Sequence, residues 1–271
     1  MVDKVVCFFK FMKQNNNLRY RIAEIIYRAG EGHIPSAYSI VEILSVLYGH
    51  ILKFDRKHPD WQKRDYFILS KGHGCAALYV ILEKYGFISK QELDRKNKFD
   101  SILAGHPDST KIPGVEASTG SLGHGIVTAM GIALGLKIKK ASNKIITLIG
   151  DGESNEGTVW ETALVAAHLK LGNLCVILDN NGSTAQVLSM PKIKQKWQSF
   201  NWETHEVDGH NETKLLSVLR KISFTPQGKP KIIIAHTLKG KGVSFTEGHG
   251  LWHHKIPTRD EMELFRKELI S

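Results

Sequence analysis

Short, nearly unbroken apolar runs alternate with longer amphipathic or small-residue stretches along most of this chain, a pattern that predicts strands separated by helices. The runs at 66–69, 145–149, 174–178 and 231–235 (YFIL, IITLI, LCVIL, KIIIA) have the composition of strands covered on both faces. Leu18, Ile22, Ile25 and Ile26 predict a helix over 15–29 that stops near Gly30 and Gly32. Further helices are predicted over 38–50, 75–85, 123–139, 156–170, 213–223 and 259–269. The helix at 123–139 carries Gly125, Ala129, Gly131, Ala133 and Gly135, small residues that suit close packing. Residues 86–120 show no period and many breakers, as a contact-rich loop or a plain surface excursion would. The expected fold class is α/β, an open and mostly parallel sheet flanked by helices, in a single domain over 1–271. Residues 1–14 read as a loose arm or a packing segment, and an extension is expected from about 240.

Two strand ends carry unusual loops. The run 145–149 leads into Gly150-Asp151-Gly152, and the run 174–178 leads into Asp179-Asn180-Asn181-Gly182-Ser183. One strand, helix, strand unit separates Asp151 from Asn181, so both side chains can enter one crevice above a parallel sheet. Magnesium takes oxygen ligands and often sits between a carboxylate and a phosphate. Asp151, the amide oxygen of Asn181 and the carbonyl of Ser183 form such a set, while Gly150 and Gly152 bring backbone N–H groups close to an anion. A helix starting near Asn155 would aim its positive end at the same place. Ordinary turn-forming residues are the competing explanation of either loop alone. A dinucleotide fold is disfavoured because no GxGxxG closes the first strand.

Composition narrows the field. A chain of 271 residues with 42% apolar content can bury a substantial core. Its formal charge of +10 comes from scattered lysines without an aromatic platform, which suits anionic substrates or solubility better than nucleic acid. The apolar strand runs are too short to cross a bilayer and the start lacks a cleavage pattern, so no membrane partner is expected. Cys7, Cys75 and Cys175 have no metal-like spacing and fit reduced thiols in a cytoplasmic protein.

The segments GEGHIPSA, SKGHG, AGHPD, GVEASTGSLGHG, GDGESNEG, DNNGS and KGKGVSFTEG with a following WHH occur in the order found in transketolases. They span about Gly30 to His254, and the chain resembles the amino-terminal, diphosphate-binding domain of that family. The resemblance implies thiamine diphosphate with Mg2+, or Ca2+ in its place, and a two-carbon ketol transfer from a ketose, expected to be a phosphate, to an aldose acceptor. It implies metal ligands at Asp151, Asn181 and the carbonyl of Ser183. Cofactor contacts are implied at His73, Gly123, Gly152, Glu153 and Asn181. His33, His73, His106 and His253 resemble the substrate-handling histidines, which stabilise an alkoxide and move protons. His253 is preferred to His254 because it directly follows Trp252. Glu156 resembles a glutamate that couples two sites across a dimer interface. His58, His168, His205 and His210 have no such setting.

Departures from the family pattern are also present. Pro35-Ser36 replaces a glycine pair, and His124 stands where the family has glutamine, which opens an unusual or nucleotide-linked sugar as acceptor, with ordinary pentose-phosphate transfer preferred. The family's pyrimidine-binding domain is absent from the sequence. The expected partner is therefore a carboxy-terminal transketolase subunit carrying it, with two copies of each chain. Two alternatives are a subunit of another thiamine-diphosphate enzyme (a 2-oxo acid dehydrogenase component or a deoxyxylulose-phosphate synthase) and a noncatalytic interaction subunit.

Overall fold

The structure is a computed structural model that describes residues 2–248 and 250–270, with side chains from Lys13 onward apart from Gln186 and Leu251. In chain order the helices are α1 (Val2–Ala29), α2 (Ile34–Tyr38), α3 (Val41–Val46), α4 (Cys75–Lys84), α5 (Lys90–Asp94), α6 (His124–Ile138), α7 (Gly157–His168), α8 (Ile193–Ser199), α9 (Glu212–Lys221) and α10 (Arg259–Ile270). The strands are β1 (Tyr66–Leu69), β2 (Ile145–Gly150), β3 (Leu174–Asn180), β4 (Glu203–Asp208) and β5 (Lys231–His236). They form one parallel sheet in the order β1-β2-β3-β5-β4.

The central strands β2, β3 and β5 are mostly apolar along their middles because both of their faces are covered. Ile146, Leu148, Cys175, Ile177 and Ile233 point into one core with α1, α3, α4, α9 and α10. Their neighbours Ile145, Ile149, Val176, Leu178, Ile232 and Ile234 point into a second core with α6, α7 and α8. The period-2 alternation of strand side chains thus divides one apolar run between two layers. Cys75 and Cys175 are free and buried, and burial pushes their thiols up to about 11 and about 12, which makes both inert. Cys7 lies outside the residues whose side chains are described. The stretch Ile34–Ile51 has the length and hydropathy of a membrane span, yet 89% of it is buried inside the protein.

Several elements differ from the sequence expectation: α1 begins at Val2 and so runs through most of the stretch read as an arm or packing segment, and α8 was not expected. The helix expected over 38–50 is broken into α2, α3 and a π-type turn at Leu47–Ile51. Ser39 and Ile40 interrupt it, where the Ser39 hydroxyl donates 2.7 Å to Asp179 and Ile40 leaves helical geometry at φ −111° and ψ 6°. Strand β4 (ETHEVD) was not expected, because it pairs only with β5 at the sheet edge and needs no apolar run on both faces. Helix α5 lies within the supposed structureless stretch, started by a Ser89 side chain that accepts from the Glu92 amide at 3.1 Å.

Helix α6 packs tightly on one side only. A Cβ at position 125 would meet Ser70 Cα and Oγ at 2.6 Å, whereas one at position 131 meets nothing within 4 Å. Gly125→Ala is therefore expected to destabilise the chain by about 1–3 kcal/mol through overpacking. Gly131→Ala, in contrast, should be neutral or stabilise it by up to about 1 kcal/mol. Urea unfolding of the two variants measures the difference, and equal midpoints would contradict this packing.

Candidate active site

All the groups of interest gather at the carboxyl ends of the parallel strands, where such sheets present their crevice. Strand β1 delivers Ser70, Lys71 and His73, β2 delivers Asp151, β3 ends in Asp179–Asn181, and β5 leads to Thr237 and Lys239. The central anion is Asp179, fully buried. Its Oδ2 accepts from Lys71 Nζ at 2.5 Å, Ser39 Oγ at 2.7 Å and Asn181 Nδ2 at 2.8 Å, while Oδ1 accepts from the Thr237 hydroxyl. Burial would raise the Asp179 pKa, but the Lys71 ammonium with the Thr237 and Ser39 hydroxyls holds it below the usual carboxylate range.

A second buried carboxylate organises the loop after β2. Glu153 Oε1 accepts from the Gly123 amide at 2.9 Å and from the Ser70 hydroxyl, and Oε2 accepts from the Gly150 amide at 3.1 Å. Glu153 and Gly123, both expected as cofactor contacts, bond to each other here. Both carboxylate oxygens of Glu153 face donors within the chain, and the Gly123 N–H is one of those donors, so neither group is presented to a ligand. Gly123 instead makes the turn into α6, with φ +79° and no room for a Cβ, which would lie 2.3 Å from Thr158 Oγ1. The Gly152 N–H is likewise taken, by Asp151 Oδ1 at 2.7 Å. Among the described residues the amides of Gly120, Ser121 and Leu122 make no hydrogen bond, and they are the donors left open beside this bracket.

Asp151 and Asn181 close around one short turn. The Ser183 amide donates 3.0 Å to Asn181 Oδ1, and the next amide, Thr184, donates 3.3 Å to Asp151 Oδ2. The two expected metal ligands and Ser183 are thus brought together. Each Asp151 oxygen keeps a lone pair for a cation, while Asn181 Oδ1 also accepts from the Ser183 hydroxyl at 2.5 Å, a donor that must turn away before that oxygen can bind a metal. Burial raises the Asp151 pKa, with the Asp179 charge adding to it against the Thr184 and Gly152 amides. A divalent cation would relieve that cost directly.

Three of the expected histidines share the rim. The His33 ring lies 5.5 Å from His73, 5.6 Å from His253 and 4.5 Å from His254, measured between centroids. Both members of the 253/254 pair therefore reach His33, and His253 alone also accepts from Lys239 Nζ, at 3.0 Å. His106 stands on the neighbouring loop, where a Cβ at Gly120 would meet its ring at 3.2 Å. The His106 loop is braced by Glu31, whose carboxylate pairs with buried Lys96 at 3.2 Å and would meet a Cβ on Gly105 at 2.9 Å. Burial, followed by His254 and His253, lowers the His33 pKa to about 4, and burial with Lys71 lowers His73 to about 2. Glu156 is exposed at the start of α7, away from this rim's hydrogen bonds.

Whether the residues fit a magnesium diphosphate is tested by Lys239. Its side chain is 5% exposed, and among the described residues no carboxylate lies within 4 Å of its ammonium. A buried cation without an anionic partner costs several kcal/mol, roughly, unless an anion joins it. Asp151 has the opposite need. One metal-bound polyanion satisfies both, so the donor set fits. Sequence reasoning missed Lys71, Asp179 and Lys239 as site residues. The visible signal was an aspartate ending the apolar β3 run and lysines bordered by glycine at two strand ends.

Comparison with known proteins adds the family. The model of the transketolase thiamine diphosphate binding domain matches residues 12–270. The chain is 41% identical over 255 residues to an apulose-4-phosphate transketolase subunit of Phocaeicola vulgatus, covering 92% of this chain and 90% of that one. It is 38% identical to the 6-deoxy-6-sulfo-D-fructose transketolase subunit SqwG of a Clostridium species, covering 92% of both. The crystal structure of Campylobacter jejuni transketolase superposes with a TM-score of 0.89 at 28% identity, over 96% of this chain but 43% of that longer one.

The histidine environment has a measurable consequence. Because the folded-state pKa of His33 lies below the ordinary 6.5, an unfolded chain takes up a proton that the folded one refuses between about 6.5 and about 4. Folding stability contributed by the neutral ring is thus present at neutral pH and is lost as pH falls through that window. In NMR titrations of the ligand-free chain, the His33 ring should remain neutral at pH 6 and titrate near 4, with His73 still neutral there. An ordinary midpoint for both rings would overturn the buried arrangement.

Proposed function

The chain belongs to the transketolase family through its thiamine diphosphate binding domain, and on that premise we propose that it is the amino-terminal subunit of a split transketolase. Its reaction moves a two-carbon ketol unit from a ketose to an aldose acceptor. Relatives spanned almost end to end by this chain are named as subunits, one for a sugar phosphate and one for a sulfo-sugar. A donor with an anionic terminus is therefore the reading we adopt, and the formal charge of +10 suits it. The observation that carries the proposal is the convergence of the Asp151–Asn181 turn, buried Lys239 and the His33 cluster on one strand edge.

In this reading Asp151, Asn181 and the Ser183 carbonyl hold the magnesium, while Lys239 and the open amides at 120–122 receive the diphosphate. Thiamine diphosphate, when bound, supplies the carbanion-stabilising chemistry that ketol transfer needs. His33, His73, His106 and His253 hold the sugar hydroxyls. An imidazole so placed can take a proton from a hydroxyl or return one to an alkoxide. His253 Nδ1 faces the Lys239 ammonium, which leaves Nε2 as the nitrogen for substrate.

A carboxy-terminal subunit with the pyrimidine-binding domain completes the site, and two copies of each chain assemble. The single chain leaves Ile138 73% exposed and Leu164 60% exposed on α6 and α7. These are surfaces that such a partner would cover, together with Glu156.

Mixing the chain with its partner subunit should produce ketol transfer that neither shows alone. Asp151→Ala should reduce cofactor-dependent turnover to background. Lys239→Met should raise the thiamine diphosphate dissociation constant roughly ten- to a hundredfold, as expected for a lost charged hydrogen bond. Calorimetry and a coupled ketose-cleavage assay read these effects. Full turnover by the isolated chain, or unchanged cofactor affinity in the Lys239 variant, would sink the proposal.

A further inference from the structure

The segment after β5 carries Lys239 and leads on to His253, yet 237–242 belongs to no regular helix or strand. Its N–H groups tie it to other elements through Thr237 N to Asn180 O at 3.2 Å, Leu238 N to His210 Nε2 at 2.8 Å and Gly240 N to Pro35 O at 3.0 Å, while Gly248 N closes onto Lys239 O at 2.8 Å. The middle tie is the one made by a side chain remote in sequence. His210 lies in the turn between β4 and α9, outside every motif that marked the site.

The tautomer of this ring follows from its partners. A backbone N–H only donates, so Nε2 must carry the lone pair and Nδ1 the proton. Nδ1 lies 3.0 Å from Glu42 Oε2, the acceptor it requires. Glu42 is buried and takes a further bond of 2.8 Å from Arg19 Nη2. Burial would raise its pKa, but Arg19 and His210 keep it lowered and charged. A fixed carboxylate therefore fixes a ring, and the ring fixes the amide immediately before Lys239.

We propose that His210 is a positioning residue of the active site, setting through its Nε2 lone pair the place of the Leu238 amide and hence of Lys239 and its contact with His253. The meaning for catalysis rests on the function proposed above, while the mechanical statement does not. The rival role is simple neutralisation of the Glu42 charge in the core. The two roles use opposite sides of the ring and can be separated. Glutamine at 210 places an acceptor where Nε2 was, and asparagine places a donor where Nδ1 was without reaching Leu238.

The test reads amide hydrogen exchange of peptides covering 237–248 in the ligand-free chain, with β2 and β3 peptides as the internal reference. His210→Asn should exchange about tenfold faster at 237–248 with an unchanged reference, the effect of losing one hydrogen bond. His210→Gln should stay near wild type. In the enzyme assembled with its partner subunit, the asparagine variant should show a raised KM for thiamine diphosphate, about tenfold, with kcat retained at saturation. Glutamine should restore that KM. Equal exchange in the asparagine variant and wild type overturns the proposal, as does protection by asparagine with loss in glutamine, or an unchanged cofactor KM. Should the asparagine variant fail to fold, the glutamine variant decides alone, because faster exchange at 237–248 over an intact core refutes the acceptor role. Exchange is read without partner or cofactor, so an incorrect assignment of the reaction would leave that outcome intact and appear only in the assembled assay.

Discussion

The buried pair between Asp179 and Lys71 is the constraint on which the site depends. Side-chain exposures of 0% and 1% place both charges in the interior, where separating either from the other costs about 3–5 kcal/mol. Such a pair contributes little stability relative to a well-packed apolar core. Its value here is orientation. One carboxylate ties the loop after β1 through Lys71, the break between α2 and α3 through Ser39, the turn after β3 through Asn181, and the end of β5 through Thr237. Because Asn181 is held by its nitrogen, its oxygen is turned toward Ser183 and the Asp151 side of the crevice. The metal turn and the histidine loop thereby share one anchor.

Around that satisfied pair lie groups whose needs the chain does not meet. The buried Asp151 carboxylate is held above its usual range, and the buried Lys239 ammonium has no carboxylate partner among the described residues. A cation alone would leave Lys239 unpaired, and an anion alone would worsen the position of Asp151. A metal and a diphosphate arriving together settle both, which makes their binding cooperative on electrostatic grounds alone. Burial first, and then nearby lysines and one another's rings, lowers the pKa values of His33, His73 and His253.

Much of this was legible in the sequence because burial on both faces writes strands as unbroken apolar runs. Strands β1, β2, β3 and β5 and most of the helices between them follow from that rule. So does the pairing of Asp151 with Asn181, fixed by the length of one crossover. Features requiring the third dimension were not legible. Strand β4 is polar because it lies at an edge, and the α2–α3 break depends on a serine reaching a distant aspartate. Glu153 sits inside a motif and invited a ligand role, but its position beneath Ser70, Gly123 and Gly150 makes it a bracket. His210 shows the converse. Its ring acts through a backbone amide 28 residues away, and no spacing rule announces such a contact.

The anchoring of the site is uneven, and the unevenness has a functional logic. The metal ligands Asp151 and Asn181 follow strand ends beside the buried carboxylates of Asp179 and Glu153, which accept three or more bonds each. Of the histidines assigned to the sugar, His73 follows the end of β1, while His33, His106 and His253 stand on connections between the main elements. Loops tolerate substitution better than strand ends because fewer buried contacts depend on their course. A scaffold of this kind can keep one cofactor while its sugar changes. Relatives about 40% identical to this chain carry names for sugars as different as apulose-4-phosphate and 6-deoxy-6-sulfo-D-fructose, on the same domain. Of the replaced positions, His124 is exposed at the start of α6, whereas Pro35 and Ser36 are buried in α2, where the Ser36 carbonyl accepts from Lys71 Nζ at 3.0 Å beside the Asp179 anchor.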